Sequence, residues 1–385
     1  MNKKLMIGIA VLLTAILTAI PFGRASVAAL AEENFAKTSK AAVLLDSETG
    51  TVVYEKNAKD RLQIASMVKI MTLSIAFDEI VKRDIPLDTL VNASDNAASM
   101  GGSQAFLDAN AEYRLDELLK SIIVASANDS CVAVAEYLYG SVDAFVSAMN
   151  ERAAEWGMSD THFVNCTGLP HEGQYCCASD VAVMFSKLIE HEKFFEYANV
   201  WMYDFAHPNG RVTQLTNTNK LVRFYDGCDG GKTGYTDAAR SCITVTAKRG
   251  DTRLICVSIG AENSKTRNAE VSELLNYGFA NYKTVYAVKR GDTVGEFAVN
   301  NGKTDGISVV AADDLSAFVK TGEPCEFTFE PNIGKIAAPV KEGDIVGEIT
   351  VLRNGEKFGS VNAVAAQSCE KKGYLDIVED FIGNW

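Results

Sequence analysis

The chain has 385 residues, 47% of them hydrophobic, which is enough to build more than one core. Acidic side chains outnumber basic ones, 50 to 37, for a formal net charge of −13. That balance argues against a nucleic-acid partner, since such binding depends on Lys and Arg neutralising phosphates, and against adsorption to an anionic membrane surface.

The N-terminus reads as a targeting segment. Asn2-Lys3-Lys4 gives a positive start, Leu5 to Ile20 is an uncharged apolar run, and small residues follow from Ala25 to Ala31. This predicts a secretory signal peptide over residues 1–31, cut after Ala31 or Ala28, and therefore an exported protein in the extracytoplasmic cell envelope. The alternative, an uncleaved anchor, is disfavoured because a membrane span needs about 20 apolar residues.

Next, residues 40–56 predict a hairpin: Ala41 to Leu45, a polar turn from Asp46 to Gly50, then Thr51 to Tyr54. The run from Gln63 through Ser66 and Lys69 continues into a helix reaching Val81. Leu115 to Ala125, Cys131 to Leu138 and Val142 to Trp156 show helical apolar spacing. From Asp226 the texture turns to strands, Gly230 to Tyr235, Ser241 to Ala247 and Thr252 to Ile259. Ser264 is placed to cap a helix through Tyr282. Strands at both ends with helices between make residues 32–282 one domain. Residues 283–366 are short β-rich runs broken by turns such as Asn301-Gly302 and Asn354-Gly355, which predicts a separate small all-β domain. In the remaining tail, 367–385, Leu375, Val378, Ile382 and Trp385 share one face of a short helix, with Asp376, Glu379 and Asp380 on its polar side.

The nine cysteines are an odd number, so at least one is unpaired or bridges two molecules. Cys131, Cys242 and Cys256 sit in apolar runs, where a thiol packs as a small hydrophobe. Cys176-Cys177 lacks metal-like spacing, and the four histidines form no His-Glu-x-x-His string. No metal or organic cofactor is expected.

Three strings carry chemistry: Ser66-Met67-Val68-Lys69, Ser126-Ala127-Asn128 and Lys232-Thr233-Gly234. Ser66 and Lys69 share a face at a helix start, where developing negative charge is favoured. A serine hydroxyl is a weak nucleophile and needs a neighbouring base. Lysine fills that role when burial and a second cation lower its pKa from about 10.4. Ile64, Ala65, Val68 and Ile70 supply the apolar surroundings, and Lys232 is the candidate cation. Ser126 suits a proton relay, and Asn128 suits an amide that holds both Lys69 and a substrate carbonyl. Lys232 and Thr233 suit a carboxylate, and Gly234 lets a substrate strand lie close. Singly, each string has a plain reading: an ordinary helix with an exposed lysine, a helix cap, a solvated turn. Their joint occurrence in this order gives them meaning.

With their surroundings, these strings resemble the low-molecular-mass penicillin-binding proteins, serine-type D-alanyl-D-alanine carboxypeptidases. The likeness spans about Ala41 to Tyr282 and includes Phe163-Val164-Asn165-Cys166-Thr167-Gly168-Leu169 and Asn217-Thr218-Asn219-Lys220-Leu221. The region after about Lys283 is similar, less specifically, to the family's C-terminal domain.

The resemblance implies an α/β (α+β) transpeptidase-like domain, with an antiparallel sheet flanked by helices, followed by the all-β domain. It implies that Ser66 attacks the carbonyl between two D-alanines of a peptidoglycan stem peptide while Lys69 takes its proton. The oxyanion would lie between the N–H groups of Ser66 and Tyr235. Ser126 would protonate the departing D-alanine. Asn128 and Gly234 would border the substrate, and Lys232 and Thr233, assisted by Arg253 on the next strand, would bind its carboxylate. Water would hydrolyse the acyl-enzyme, and β-lactams would acylate the same serine.

Two departures stand out. Family members commonly carry a His followed by Ser or Thr where this chain has Gln174-Tyr175-Cys176-Cys177-Ala178-Ser179-Asp180, which implies altered packing. The tail resembles the amphipathic anchor of some members, implying a peripheral membrane contact, but carries acids where such anchors carry Lys and Arg. Competing readings are a β-lactamase, which needs a deacylating glutamate absent from Glu172-Gly173-Gln174-Tyr175, and a non-catalytic peptidoglycan-binding scaffold, which would not need so complete a set of polar residues.

Overall fold

The structure, a computed structural model, describes residues 34–374 and 376. The expected signal peptide and the apolar face of the tail lie outside the described residues.

The strand Ala41–Asp46 is buried along its whole length. Successive strand side chains point to opposite faces. Ala41, Val43 and Leu45 therefore enter one core, and Ala42 and Leu44 enter another. The sheet built on this strand has a helical layer on each side, which is why its apolar run does not alternate with polar residues. It pairs antiparallel with Val52–Lys56 on one side and Thr252–Ala261 on the other. Arg240–Arg249 and then Cys228–Thr236 complete a five-stranded sheet. The strand that carries Lys232 is thus an edge, with one side free of a neighbouring strand in the sheet order.

One face is covered by the helix Ser264–Asn281 through Val271, Leu274 and Leu275. Its cap is Asn263 and not Ser264: the Asn263 side-chain oxygen accepts the N–H groups of Lys265 and Thr266. The other face carries the helices Lys69–Lys82, Leu115–Val124, Asn128–Tyr139 and Ala178–Leu188. The first of these is buried almost all round, from Ile70 through Phe77, as expected of a helix apolar on every side. A 3-10 turn, Ala65–Val68, feeds it.

The helix expected from Cys131 begins at Asn128, so the second motif opens a helix directly, and Gly140 ends it at φ +78°. The short hairpin of Met202–Ala206 with Val212–Thr216 was not legible, since only one residue in each strand is buried.

The second domain starts without a linker at the strand Tyr282–Val288, which pairs with Leu315–Lys320. Thr284 ties it to the first domain, with its N–H donating to Thr252 Oγ1 and its hydroxyl to Asp46 Oδ1, both at 2.8 Å. A six-stranded sheet follows around Ile307, Val309, Val351 and Ala363. All nine cysteines are free, and all but Cys325 are buried, in keeping with their expected role as small hydrophobes.

Candidate active site

Lys69 is completely buried. Its Nζ donates to Ser66 Oγ at 3.0 Å, Asn128 Oδ1 at 2.6 Å and the Thr167 carbonyl at 2.5 Å. These acceptors match the three donors of an ammonium. Burial is the dominant influence and pulls the Lys69 pKa below that of an ordinary lysine, while Cys131, Cys166 and Asp129 oppose it.

Lys232, also buried, donates to Ser126 Oγ at 2.7 Å and to the Thr233 carbonyl at 3.0 Å. Burial first, then repulsion from Lys69, push its pKa well below the ordinary value, and Arg267 adds to the effect. Ser126 therefore bridges toward Lys232, and Asn128 toward Lys69. The Asn128 Nδ2 also donates to the Gly101 carbonyl at 2.6 Å. An amide nitrogen carries two hydrogens, so one is left for a bound carbonyl.

The backbone is strained on both sides of this cluster. Ala65 has φ +49° and Ser126 has φ +65°, in the left-handed region that non-glycine residues enter at a cost of about 1–3 kcal/mol. The rest of the fold holds both turns so that Ser66 and Ser126 face the two lysines. Gly234 is needed for a further reason. A Cβ there would stand 2.7 Å from the Ile64 carbonyl oxygen and 3.1 Å from the Ser66 nitrogen. The edge strand thus lies directly against the turn that carries Ser66, which brings the N–H groups of Ser66 and Tyr235 to neighbouring stretches of backbone. The Tyr235 side chain is exposed and its hydroxyl donates to Asp237. Thr233 Oγ1 donates to Thr218 Oγ1 at 2.8 Å.

Ser66, Lys69, Ser126, Asn128, Lys232, Thr233, Gly234 and Tyr235 are thus brought together. Arg253 is not. Lys232 opposes Thr244 on the neighbouring strand, whereas Arg253 opposes Lys248, four residues further along. Its side chain reaches back along the sheet and donates to Thr246 Oγ1 at 2.8 Å, opposite Gly230 and two residues from Lys232. Its guanidinium is paired with Asp229 at 2.8 and 2.9 Å and stacks on Phe195. Its assistance at the carboxylate is therefore a proposal, to be weighed against this ion pair with Asp229.

Two participants were missed in the sequence. Arg267, buried on the helix Ser264–Asn281, donates to the Cys242 carbonyl, and its pKa is pushed down to about 10 by burial. The Thr167 carbonyl is a backbone atom, which no residue-type pattern announces. Among the described residues no group of His, Cys, Asp and Glu could hold a metal ion.

This arrangement, a buried amine against a serine on a helix start beside an edge strand with a second buried amine, is that of a serine-type hydrolase. Residues 27–263 match the peptidase S11 family, D-alanyl-D-alanine carboxypeptidase, and residues 282–371 match the penicillin-binding protein 5 C-terminal domain. The chain is 37% identical over 355 residues to D-alanyl-D-alanine carboxypeptidase DacF of Bacillus subtilis, covering 91% of this chain and 90% of that one. It is similar in structure to penicillin-binding protein 5 of Haemophilus influenzae, with a TM-score of 0.67, 26% identity and coverage of 87% and 98%. It is also similar to PBP3 of Streptococcus pneumoniae, with a TM-score of 0.69, 28% identity and coverage of 86% and 99%. The chain belongs to the S11 family of serine peptidases, as a low-molecular-mass penicillin-binding protein of the D-alanyl-D-alanine carboxypeptidase type.

Proposed function

We propose that this chain is an exported carboxypeptidase that removes the terminal D-alanine from peptidoglycan pentapeptide stems through an acyl-enzyme on Ser66. The observation that carries the reading is the contact at 3.0 Å between the fully buried Lys69 Nζ and the half-buried Ser66 Oγ. Neutral Lys69 takes the Ser66 proton as Oγ attacks the penultimate D-alanine carbonyl. The N–H groups of Ser66 and Tyr235 receive the oxyanion, each such donor being worth about 3 kcal/mol of barrier. Ser126, hydrogen-bonded to Lys232, gives its proton to the leaving amine and is reprotonated by the proton Lys69 took from Ser66, so Lys69 is neutral again as free D-alanine departs. Lys232 and Thr233 hold its carboxylate, and the substrate backbone lies along the edge strand as an added strand. Water then attacks the ester carbonyl, giving a proton to Lys69, which passes it to Ser66 Oγ as the ester bond breaks and the acid leaves.

A β-lactam carries an acyl bond and a carboxylate in a similar relation, so it acylates the same serine. The apolar spacing of residues 375–385 supports a peripheral membrane contact. No helix among the described residues is long and apolar enough to cross a membrane.

The test is release of D-alanine from a blocked Lys-D-Ala-D-Ala peptide by the wild type and by Ser66→Ala. Loss of release in a folded variant supports the reading. Release that survives the substitution refutes the assigned nucleophile.

A further inference from the structure

Between Phe163 and Leu169 the chain runs over the active-site lysine without belonging to any of the three motifs. It contributes a main-chain atom, the Thr167 carbonyl that accepts from Lys69 Nζ at 2.5 Å. A loop carbonyl is only as well placed as the loop, and here side-chain amides do the placing.

Asn165 Oδ1 accepts the Gly168 N–H at 2.7 Å, the Thr167 hydroxyl at 3.1 Å and the Thr167 N–H at 3.2 Å. Its Nδ2 donates to the Leu169 carbonyl at 3.0 Å. Gln174, buried beneath, accepts the N–H groups of Val164 and Asn165 at 3.0 Å each, and its Nε2 also reaches the Leu169 carbonyl. Gly168, at φ +80°, would place a Cβ 2.1 Å from the Ala65 carbonyl oxygen, so the loop is pressed onto the residue preceding the nucleophile. One carboxamide thus gathers four bonds around the peptide unit whose oxygen grips Lys69.

We propose that Asn165 is a positioning residue for the reaction, acting with Gln174 through the Thr167 carbonyl to fix the place and the proton affinity of Lys69. This rests on the reading of Lys69 as the base. A carbonyl dipole aimed at Nζ favours the ammonium, whereas burial favours the neutral amine. The loop therefore sets the balance between them while keeping Nζ on Ser66. The charged and titratable groups facing Lys69 are Asp129 and Cys131 from the helix Asn128–Tyr139, Cys166 from the loop and Lys232 from the edge strand. Both thiols stay protonated, Cys131 being pushed up to about 11 and Cys166 higher still by burial.

An isosteric charge tests the coupling. Asn165→Asp keeps an oxygen for the three donors and adds a negative charge two residues from the Thr167 carbonyl. At ~7 Å and an effective dielectric of ~20, partly screened by solvent, that charge raises the Lys69 pKa by about one unit. The experiment is single-turnover acylation of the full chain by a fluorescent penicillin across the pH range, with thermal melting as the check on folding. The expected result is an acid limb whose midpoint moves up by about one pH unit in Asn165→Asp, with the alkaline plateau restored to within about threefold. Gln174→Glu, one step further away, shifts the midpoint the same way by less, and carries the test alone if Asn165→Asp does not fold. Folded variants with the wild-type midpoint, whatever their plateau, would overturn the proposal and leave both amides as structural braces. A wild type that is not labelled at Ser66 would instead overturn the reading of the site itself.

Discussion

Gly234 offers a sharp test of how the edge strand and the turn of Ser66 are fitted together. Its φ is ordinary, so Gly234→Ala adds no backbone strain and acts only by volume. The added Cβ would stand 2.7 Å from the Ile64 carbonyl oxygen and 3.1 Å from both Ala65 Cβ and the Ser66 nitrogen. Two of these three neighbours are backbone and cannot swing away. The strand must therefore retreat from the 3-10 turn by about half an ångström, a form of overpacking that costs about 1–3 kcal/mol. Since a misplacement of about 1 Å costs about a hundredfold in rate, half of that costs about tenfold. The assay is the acylation rate with a fluorescent penicillin, read beside a thermal melt. Gly101→Ala is the control, because nothing lies within 4 Å of its added Cβ, and it should match the wild type in stability. A Gly234→Ala protein that acylates within about twofold of the wild type and melts at the same temperature would refute the packing argument, which rests on the ~1 Å sensitivity of such sites.

Other consequences follow from the same geometry. Ser126→Ala leaves Lys232 without its 2.7 Å hydroxyl partner, and D-alanine release should fall by about a hundredfold or more, the usual scale of a lost proton-transfer group. Lys69 has a depressed pKa, so carboxypeptidase kcat/KM should rise with pH through a midpoint below the ordinary lysine value, as a pH–rate profile will show. The same depression links to stability. The unfolded chain binds a proton that the folded chain releases, so unfolding free energy should rise as pH climbs from the depressed value toward about 10.5. Lys69→Met, which removes that dependence, should flatten the corresponding part of a melt-versus-pH curve. Arg253→Gln breaks the partly buried pair with Asp229 and should cost about 1–2 kcal/mol of stability, between the surface and buried cases. The KM of the folded fraction should stay unchanged, whereas a large rise in KM would return Arg253 to the substrate.

What the sequence disclosed follows how local each signal was. Ser66 and Lys69 lie within one turn, so their shared face could be read from spacing alone. Ser126 and Asn128 flank a helix start, and Lys232 to Tyr235 form one stretch of strand. The alternation of Ala41 to Leu45 into two cores is equally local. Arg267 was hidden because nothing in a surface-like helix start, Ser264-Lys265-Thr266-Arg267, shows that packing on the sheet will bury its guanidinium. The ion pair of Arg253 with Asp229 was not legible, because sheet register decides which residues of separate strands meet, and register comes from pairing over long range. Asn165 falls in a segment whose resemblance was noted and Gln174 opens the stretch noted as a departure, but their bonds run to backbone atoms and leave no residue-type signature. The strain at Ala65 and Ser126 is likewise a tertiary outcome, since neither residue type prefers the left-handed region.

The assignment of Ser66 as nucleophile is tested most directly by peptide mapping with mass spectrometry after brief exposure to benzylpenicillin. Trypsin releases the segment Leu62–Lys69, which contains Ser66 as its only serine. The expected result is the penicilloyl mass on that peptide, absent from Ser66→Ala. An adduct on another peptide of the folded protein would contradict the claim, as would a folded wild type that gains no mass.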